Sequence, residues 1–181
     1  MGIVPHFLND ALAGHLKENL LRLHAAALMK PAGTGNEVLI LKDQLIRSDR
    51  IYWLDRSHED EHENAFFDLM DQFVLHLNNT CYTGITGYEF HYALYEPGTF
   101  YKKHRDQFRN NDSRQYSVIL YLNEGWTAPD GGELCIHHAD HLQSIAPENG
   151  KVVFFKSSEL EHEVLRTNKA RLSITGWLKI G

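Results

Sequence analysis

Cysteine is nearly absent from this sequence: Cys81 and Cys135 are the only two, in unlike surroundings. A disulfide framework is therefore excluded, and both read as reduced, buried thiols. No apolar run approaches the roughly 18 residues that span a bilayer. Met1 to Asp10 lacks the basic start and long apolar stretch of a signal peptide. An excess of positive charge is missing too: 18 Lys and Arg face 24 Asp and Glu, for a net charge of −6 and a pI near 6.0. That balance argues against nucleic acid, which attracts basic surfaces, and nothing in the chain points to a membrane. Repeats, linkers and low-complexity tracts are absent. What remains is a cytoplasmic globule of 181 residues with 43% apolar residues, expected to form one domain over 1–181 with a real core.

The first part of the chain reads as helical. Leu12, Leu16, Leu20, Leu23 and Ala27 recur at helical spacing across 9–29, with Asn9 or Asp10 as N-cap. His15 and His24 on that helix read as solvated or packing residues. Pro31 to Asn36 is a turn, Glu37 to Leu41 a short strand, and Arg47 to Leu54 another strand with Ile51 and Trp53 on one face. Ser57 to Glu63 is acidic and His-bearing. It reads as a helix start capped by Ser57, with early acids suiting the helix dipole. Phe66, Phe67, Met70, Phe73, Val74 and Leu77 then form the apolar side of a helix ending near Asn78-Asn79.

From Tyr82 the texture changes to short β-branched and aromatic segments separated by Gly, Pro, Asn and Asp. Candidate strands are 88–95, 100–105, 115–122, 132–137, 151–155, 162–166 and 171–180. Short strands at regular spacing predict a sandwich or jelly roll. The expected fold is mainly β with N-terminal helices: helical and small β support over 1–80, and a β core over 82–181.

The chemistry centres on His104-Arg105-Asp106. In an extended strand alternate side chains share a face, so His104 and Asp106 project together. His162 supplies a second imidazole. Two histidines and one carboxylate leave open positions, the facial triad of non-haem Fe(II) oxygenases. His-x-Asp by itself is short enough to arise by chance in a chain with 12 His. On strand 171–180, Arg171, Ser173, Thr175 and Trp177 share one face, and Leu172, Ile174, Leu178 and Ile180 the other. Alone, Arg171 reads as a surface arginine on an edge strand. If His162 faces an interior, however, Arg171 across the next turn can face it as well. An inward arginine needs an anionic partner, and its planar fork suits a carboxylate cosubstrate. Tyr121, sharing a face with Ser117 and Ile119, could donate to the same carboxylate or simply pack. The Gly131-Gly132 turn permits positive φ and close backbone approach.

Several segments together resemble the prolyl-hydroxylase branch of the Fe(II)/2-oxoglutarate dioxygenases. They are Tyr95-Glu96-Pro97-Gly98 with Tyr101 and His104-Arg105-Asp106; Ile119 to Asn123 with Trp126; Gly131-Gly132-Glu133-Leu134; His162-Glu163-Val164; and Arg171 to Trp177. Upstream, Arg47-Ser48-Asp49 and Trp53 resemble a segment of the hypoxia-sensing prolyl hydroxylases, and Arg114 matches an arginine that contacts that Asp in those enzymes. The resemblance implies a double-stranded β-helix (jelly roll) with supporting helices. It implies Fe(II) held by His104, Asp106 and His162, and 2-oxoglutarate paired with Arg171 and hydrogen-bonded by Tyr121, with Thr175 near the same end. Tyr95 and Tyr101 would line the pocket beside the metal. On the substrate side would stand Tyr101, Arg47, Asp49, Arg114 and Trp177. The loop from about Thr34 to Arg47 would be a flap over the substrate, braced by Asp49 and Arg114. O2 is the second cosubstrate and ascorbate the expected reductant.

The resemblance also implies a proline-containing protein or peptide substrate, with a translation factor among the candidates, and release of succinate and CO2. The chain stops at Gly181, without the C-terminal helix or accessory domain of the animal enzymes, so a compact bacterial-type enzyme is expected. Two other readings stand beside it. One is a dioxygenase of a small molecule such as a free amino acid; the other is a non-catalytic metal-binding or ligand-binding β domain.

Overall fold

The computed structural model describes residues 1–33, 47–106 and 113–181. The strand expected over Glu37 to Leu41 and the flap expected between Thr34 and Arg47 lie in or against the 34–46 stretch, outside the described residues. Helix α1 (Asp10–Ala25) starts where the sequence places it, the Asn9 side chain accepting from the Leu12 N–H at 2.8 Å. Helix α2 (Glu61–Cys81) starts later than expected. Its cap is Asp60, which accepts from the His62 and Glu63 N–H groups, and Ser57 sits in a 3-10 turn capped by Asp55. Asp60 is closer to the apolar run and can reach two free N–H groups at once, so it wins the position.

The Asp60 cap carries a pH signature. Burial raises its carboxyl pKa, but the Glu63 N–H, the Asn19 side chain and the His62 N–H outweigh burial and hold it below its ordinary value. A group with a depressed folded pKa stabilises fully above its unfolded value and loses that contribution as pH falls through the folded one. Asp60→Ala should therefore cost about 1 kcal/mol at pH 7. The gap between the melting curves of parent and variant should begin to shrink as pH falls below about 3.9, the ordinary aspartate value, and vanish only below the depressed folded one. An equal gap at neutral pH and below the folded value would contradict this role.

Eleven strands follow or flank the helices among the described residues: β1 (Gly2–Val4), β2 (Lys30–Pro31), β3 (Arg50–Trp53), β4 (Gly87–Tyr95), β5 (Tyr101–His104), β6 (Arg114–Tyr121), β7 (Leu134–His137), β8 (Leu142–Ile145), β9 (Val152–Lys156), β10 (Glu161–Val164) and β11 (Arg171–Lys179). They form a seven-stranded sheet in the order β1-β9-β6-β11-β4-β3-β2 and a four-stranded sheet in the order β5-β10-β7-β8. All the pairs are antiparallel. This is the expected jelly-roll arrangement, mostly β with two α-helices among the described residues.

Residue parity then divides the large sheet. Phe90, Tyr92 and Leu94, Val118 and Leu120, and Leu172, Ile174 and Leu178 pack against Leu16, Leu20, Phe66 and Met70 of the helices. Their odd-numbered neighbours, among them Ala93, Tyr95, Ile119 and Tyr121, face the second sheet and meet Leu134, Ile136 and Val164 there. Strand β11 is thus buried on both faces, and its polar face is interior rather than solvated. Gly176 permits the close strand approach: a Cβ there would stand 2.2 Å from the Glu89 carbonyl oxygen. Strands β1, β2 and β8 were not legible in the sequence, and Pro31, expected in a turn, belongs to β2. All three are short, largely exposed edges that lack the alternation of a half-buried strand. Cys135 is buried as expected, whereas Cys81, at the end of α2, is exposed.

Candidate active site

His104 and His162 are a cross-strand pair. They stand opposite each other in the β5–β10 ladder, with ring centroids 4.3 Å apart. Their Nδ1 atoms point at backbone carbonyls, Lys102 O at 2.7 Å and Leu160 O at 3.2 Å. A carbonyl only accepts, so each Nδ1 carries the proton and each Nε2 presents a lone pair. Both Nε2 atoms converge on Asp106 Oδ1, at 3.2 and 3.5 Å. Asp106 lies in a bend beyond the end of β5 rather than on the strand itself. What aims it is the other sheet: buried Ser117 of β6 donates to Asp106 Oδ2 at 2.6 Å and lies 2.9 Å from the hydroxyl of buried Ser157. One carboxylate oxygen is tied back and the other faces the histidines. Burial disfavours the Asp106 anion, yet His162 and His104 hold its pKa well below the usual range. Burial likewise opposes the His162 cation, and the facing Asp106 carboxylate outweighs it and raises the ring pKa.

The same cavity gathers the predicted residues. Arg47, Asp49, Tyr95, Tyr101, His104, Asp106, Arg114, His162, Arg171, Thr175 and Trp177 all line it. Tyr121 alone of the predicted set is set back, with its ring 5.0 Å from the Arg171 guanidinium. Arg171 is 1% exposed, donates from Nε to Gly132 O at 2.7 Å, and lies 5.0 Å from the Tyr95 ring. Gly132 makes this seat possible, because at φ +70° its absent Cβ would meet Arg171 Cδ at 3.1 Å. Among the described residues no carboxylate reaches Arg171. Its Nη2 and the Tyr121 hydroxyl are both buried without a hydrogen-bond partner. Burial raises the Tyr121 pKa against the pull of Arg171, so the phenol keeps its proton and can donate.

Another part of the cavity wall is a stacked column. Asp49 is 2% exposed and takes a two-pronged grip from Arg47, at 2.8 and 2.7 Å. The Arg47 guanidinium lies 4.5 Å over the Tyr101 ring, which stacks on His104 at 3.5 Å. Burial pushes the Tyr101 hydroxyl up to about 12. Arg114 donates to Glu89 at 2.7 Å and lies 3.7 Å over Trp177. So the arginine fork on Asp49 comes from Arg47, while Glu89, a residue sequence reasoning missed, anchors Arg114. Also missed were Ser117 and Ser157, and His91. His91 is wedged between Trp53 and Trp177, and burial takes its pKa down to about 4, leaving the ring neutral. The inward parity shared by Ser117 and Tyr121 was the one available signal.

The profile of the 2OG-Fe(II) oxygenase superfamily matches residues 90–179. A prolyl-4-hydroxylase crystal structure from Pseudomonas putida is 38% identical, covering 99% of this chain and 92% of that one, with a TM-score of 0.89. The chain belongs to the 2OG-Fe(II) oxygenase superfamily. A prolyl hydroxylase from Trichoplax adhaerens, solved with a hypoxia inducible factor peptide fragment, shares the fold of this oxygenase. It has a TM-score of 0.85 at 24% identity, covering 98% of this chain and 82% of that one. A PKHD-type hydroxylase from Picosynechococcus is 34% identical over 89 residues, 49% of this chain. The match to that relative covers 40% of its length, and the match to a prolyl 3-hydroxylase of Xenopus laevis covers 15% of that protein.

The family implies Fe(II), 2-oxoglutarate and O2, and the residues present fit them. The two imidazole nitrogens and one carboxylate oxygen lie within 4.8 Å of one another, and His104 Nε2 is buried with no hydrogen-bond partner. Arg171 and Tyr121 hold two further orphaned donors, as a dicarboxylate cosubstrate requires.

Proposed function

We propose that this oxygenase hydroxylates a prolyl residue within a protein or peptide at the 4-position, releasing succinate and CO2. The observation that carries the reading is the pairing of one His-Asp-His cluster with a buried, carboxylate-free arginine in a single cavity. Kinship over 92% of a bacterial prolyl-4-hydroxylase supports the choice of proline.

In this reading His104, Asp106 and His162 hold Fe(II), which with 2-oxoglutarate and O2 supplies the oxidant for a substrate C–H bond. The chain's own contribution is positional. Lys102 O and Leu160 O keep both imidazoles in the ligating tautomer, and Ser117 holds Asp106 Oδ2 back so that Oδ1 would face the metal. Arg171 pairs with the distal carboxylate of the cosubstrate and Tyr121 donates to it, while Thr175 and Tyr95 close that end. Tyr101, steadied by Arg47 and Asp49, fixes the His104 ring and presents an apolar wall to the substrate. Trp177, held flat by Arg114, walls the other side.

The test is incubation of the protein with Fe(II), 2-oxoglutarate, ascorbate and proline-bearing baits, a translation factor first among them. Succinate formation coupled to a proline mass gain of one oxygen is the expected result, with NMR of the product reporting 4- rather than 3-hydroxylation. Turnover of free proline with none on any protein bait would move the enzyme to the small-molecule class.

Ser117→Ala offers a finer check. A hydrogen-bonded partner of a metal ligand is worth about 10- to 100-fold in metal affinity. Fe(II) binding should weaken by that factor, and Ser117→Thr should restore it. Unchanged Fe(II) affinity in Ser117→Ala would show that Asp106 is aimed by other contacts.

A further inference from the structure

Strand β10, which brings His162 to the iron-type cluster, carries part of a second donor set on its opposite face, and the neighbouring strand β7 completes it. In the β7–β10 ladder His162 pairs with Ile136, and Glu163 pairs with Cys135. By alternation, His162 and Ile136 point into the jelly roll while Cys135, His137 and Glu163 point out of it. His137 reaches diagonally to Glu163, Nε2 to Oε1 at 2.7 Å. A thiol sulfur, an imidazole nitrogen and a carboxylate oxygen thus lie within 4.8 Å of one another. Cys135 is 6% exposed and the other two are half-buried. None of the three lines the cavity of the first cluster.

We propose that Cys135, His137 and Glu163 form a second metal site, suited to a borderline-soft divalent cation such as Zn(II). The donor chemistry selects the class. Sulfur and imidazole nitrogen are Zn(II) ligands, whereas Mg(II) and Ca(II) take oxygen almost exclusively. Burial and Glu163 raise the Cys135 pKa, so the thiol would give up its proton to solvent as the metal binds, and the resulting thiolate and the carboxylate together balance the charge of a dication. The three residues stand on neighbouring strands in fixed register, so no loop has to order on binding. Bond lengths of about 2.0–2.3 Å require the ligand atoms to draw in from their present spread while the His137–Glu163 contact opens, within reach of side-chain rotation. Three protein ligands leave a fourth position for water or an added donor. The first cluster contains no sulfur, so the two faces of β10 sort metals by softness. Because Cys135 and His137 lie on β7 and Glu163 on β10, an occupant would also pin β10 against β7.

This site does not depend on the oxygenase reading, and the test keeps the two apart. The full-length chain carrying Asp106→Ala, metal-free and reduced, is titrated with Co(II). The expected result is one equivalent bound with a near-ultraviolet thiolate-to-Co(II) charge-transfer band that Zn(II) displaces. Cys81→Ser, added to that background, should keep the band. Cys135→Ser and His137→Ala should each lose it, with Zn(II) affinity falling by more than the roughly 10- to 100-fold that a lost outer partner costs. Circular dichroism confirms that each variant is folded, and His137, being half-buried, covers the case in which Cys135→Ser fails to fold. Absence of the band in the parent, a band that follows Cys81, or Zn(II) affinity unchanged in His137→Ala would overturn the proposal.

Discussion

Asp106→Ala is expected to abolish turnover while leaving the fold intact. The carboxylate is the point on which both Nε2 atoms converge, and it is the one negative charge in the His104, Asp106, His162 cluster. Without it two neutral imidazoles face a dication with no charge balance, and Ser117 loses its acceptor. A fall in rate of at least about 10³-fold, equivalent to about 4 kcal/mol in the barrier, is the expected scale. Anaerobic titration gives the direct readout. The parent should show the weak visible charge-transfer band of Fe(II) with 2-oxoglutarate, and the variant should not. A variant that still bound iron and turned over within tenfold of the parent would remove Asp106 from the site. Iron bound by the parent without any band on adding 2-oxoglutarate would mean that only the fold of the family is retained.

Replacing Arg171 with methionine should act on the cosubstrate instead. The guanidinium is buried, Tyr121 lies against it, and Nη2 has no partner. Breaking a buried charge pair typically costs 3–5 kcal/mol, or about 10²- to 4 × 10³-fold in affinity. The concentration of 2-oxoglutarate needed for half-maximal rate should rise by that factor, with iron affinity unchanged. Arg171→Lys should fall between, because an ammonium lacks the two-pronged fork. Methionine keeps most of the side-chain volume and removes an unpaired buried cation, so thermal stability should hold or rise. A merely structural arginine would show the reverse: a lower melting temperature and an unchanged 2-oxoglutarate requirement.

Much of this was legible because chain order already encodes it. The helical repeat of Leu16, Leu20 and Leu23 and the Phe66, Phe67, Met70 run fixed the helices, and turn residues marked out most of the strands. His104, Asp106 and His162 could be proposed from residue type, whereas Arg171 could be proposed only with the family resemblance, because its parity on β11 alone reads as solvent-facing. Helix boundaries were less legible. Ser57 and Asp60 are both good caps, and only the geometry of the first turn chooses between them. Cys81 is exposed because the helix runs past Asn78-Asn79 and ends on it at the surface, and residue type alone does not say what covers a thiol.

Sequence by itself determined the secondary elements, the inventory of ligating and carboxylate-binding groups, and the family those groups resemble. The tertiary structure alone decided what each group faces. Strand β11 has polar residues on one side, a pattern that ordinarily means solvent; it is interior because the second sheet covers that side. Asp106 points at the histidines because Ser117, on a different sheet, holds its other oxygen. Arg114 is anchored by Glu89, far from it in sequence but adjacent across β11, with Lys179 on the same carboxylate. Cys135 meets His137 and Glu163 only through the register of β7 and β10. In each case the deciding contact joins residues remote along the chain, and local periodicity carries no signal for such pairs.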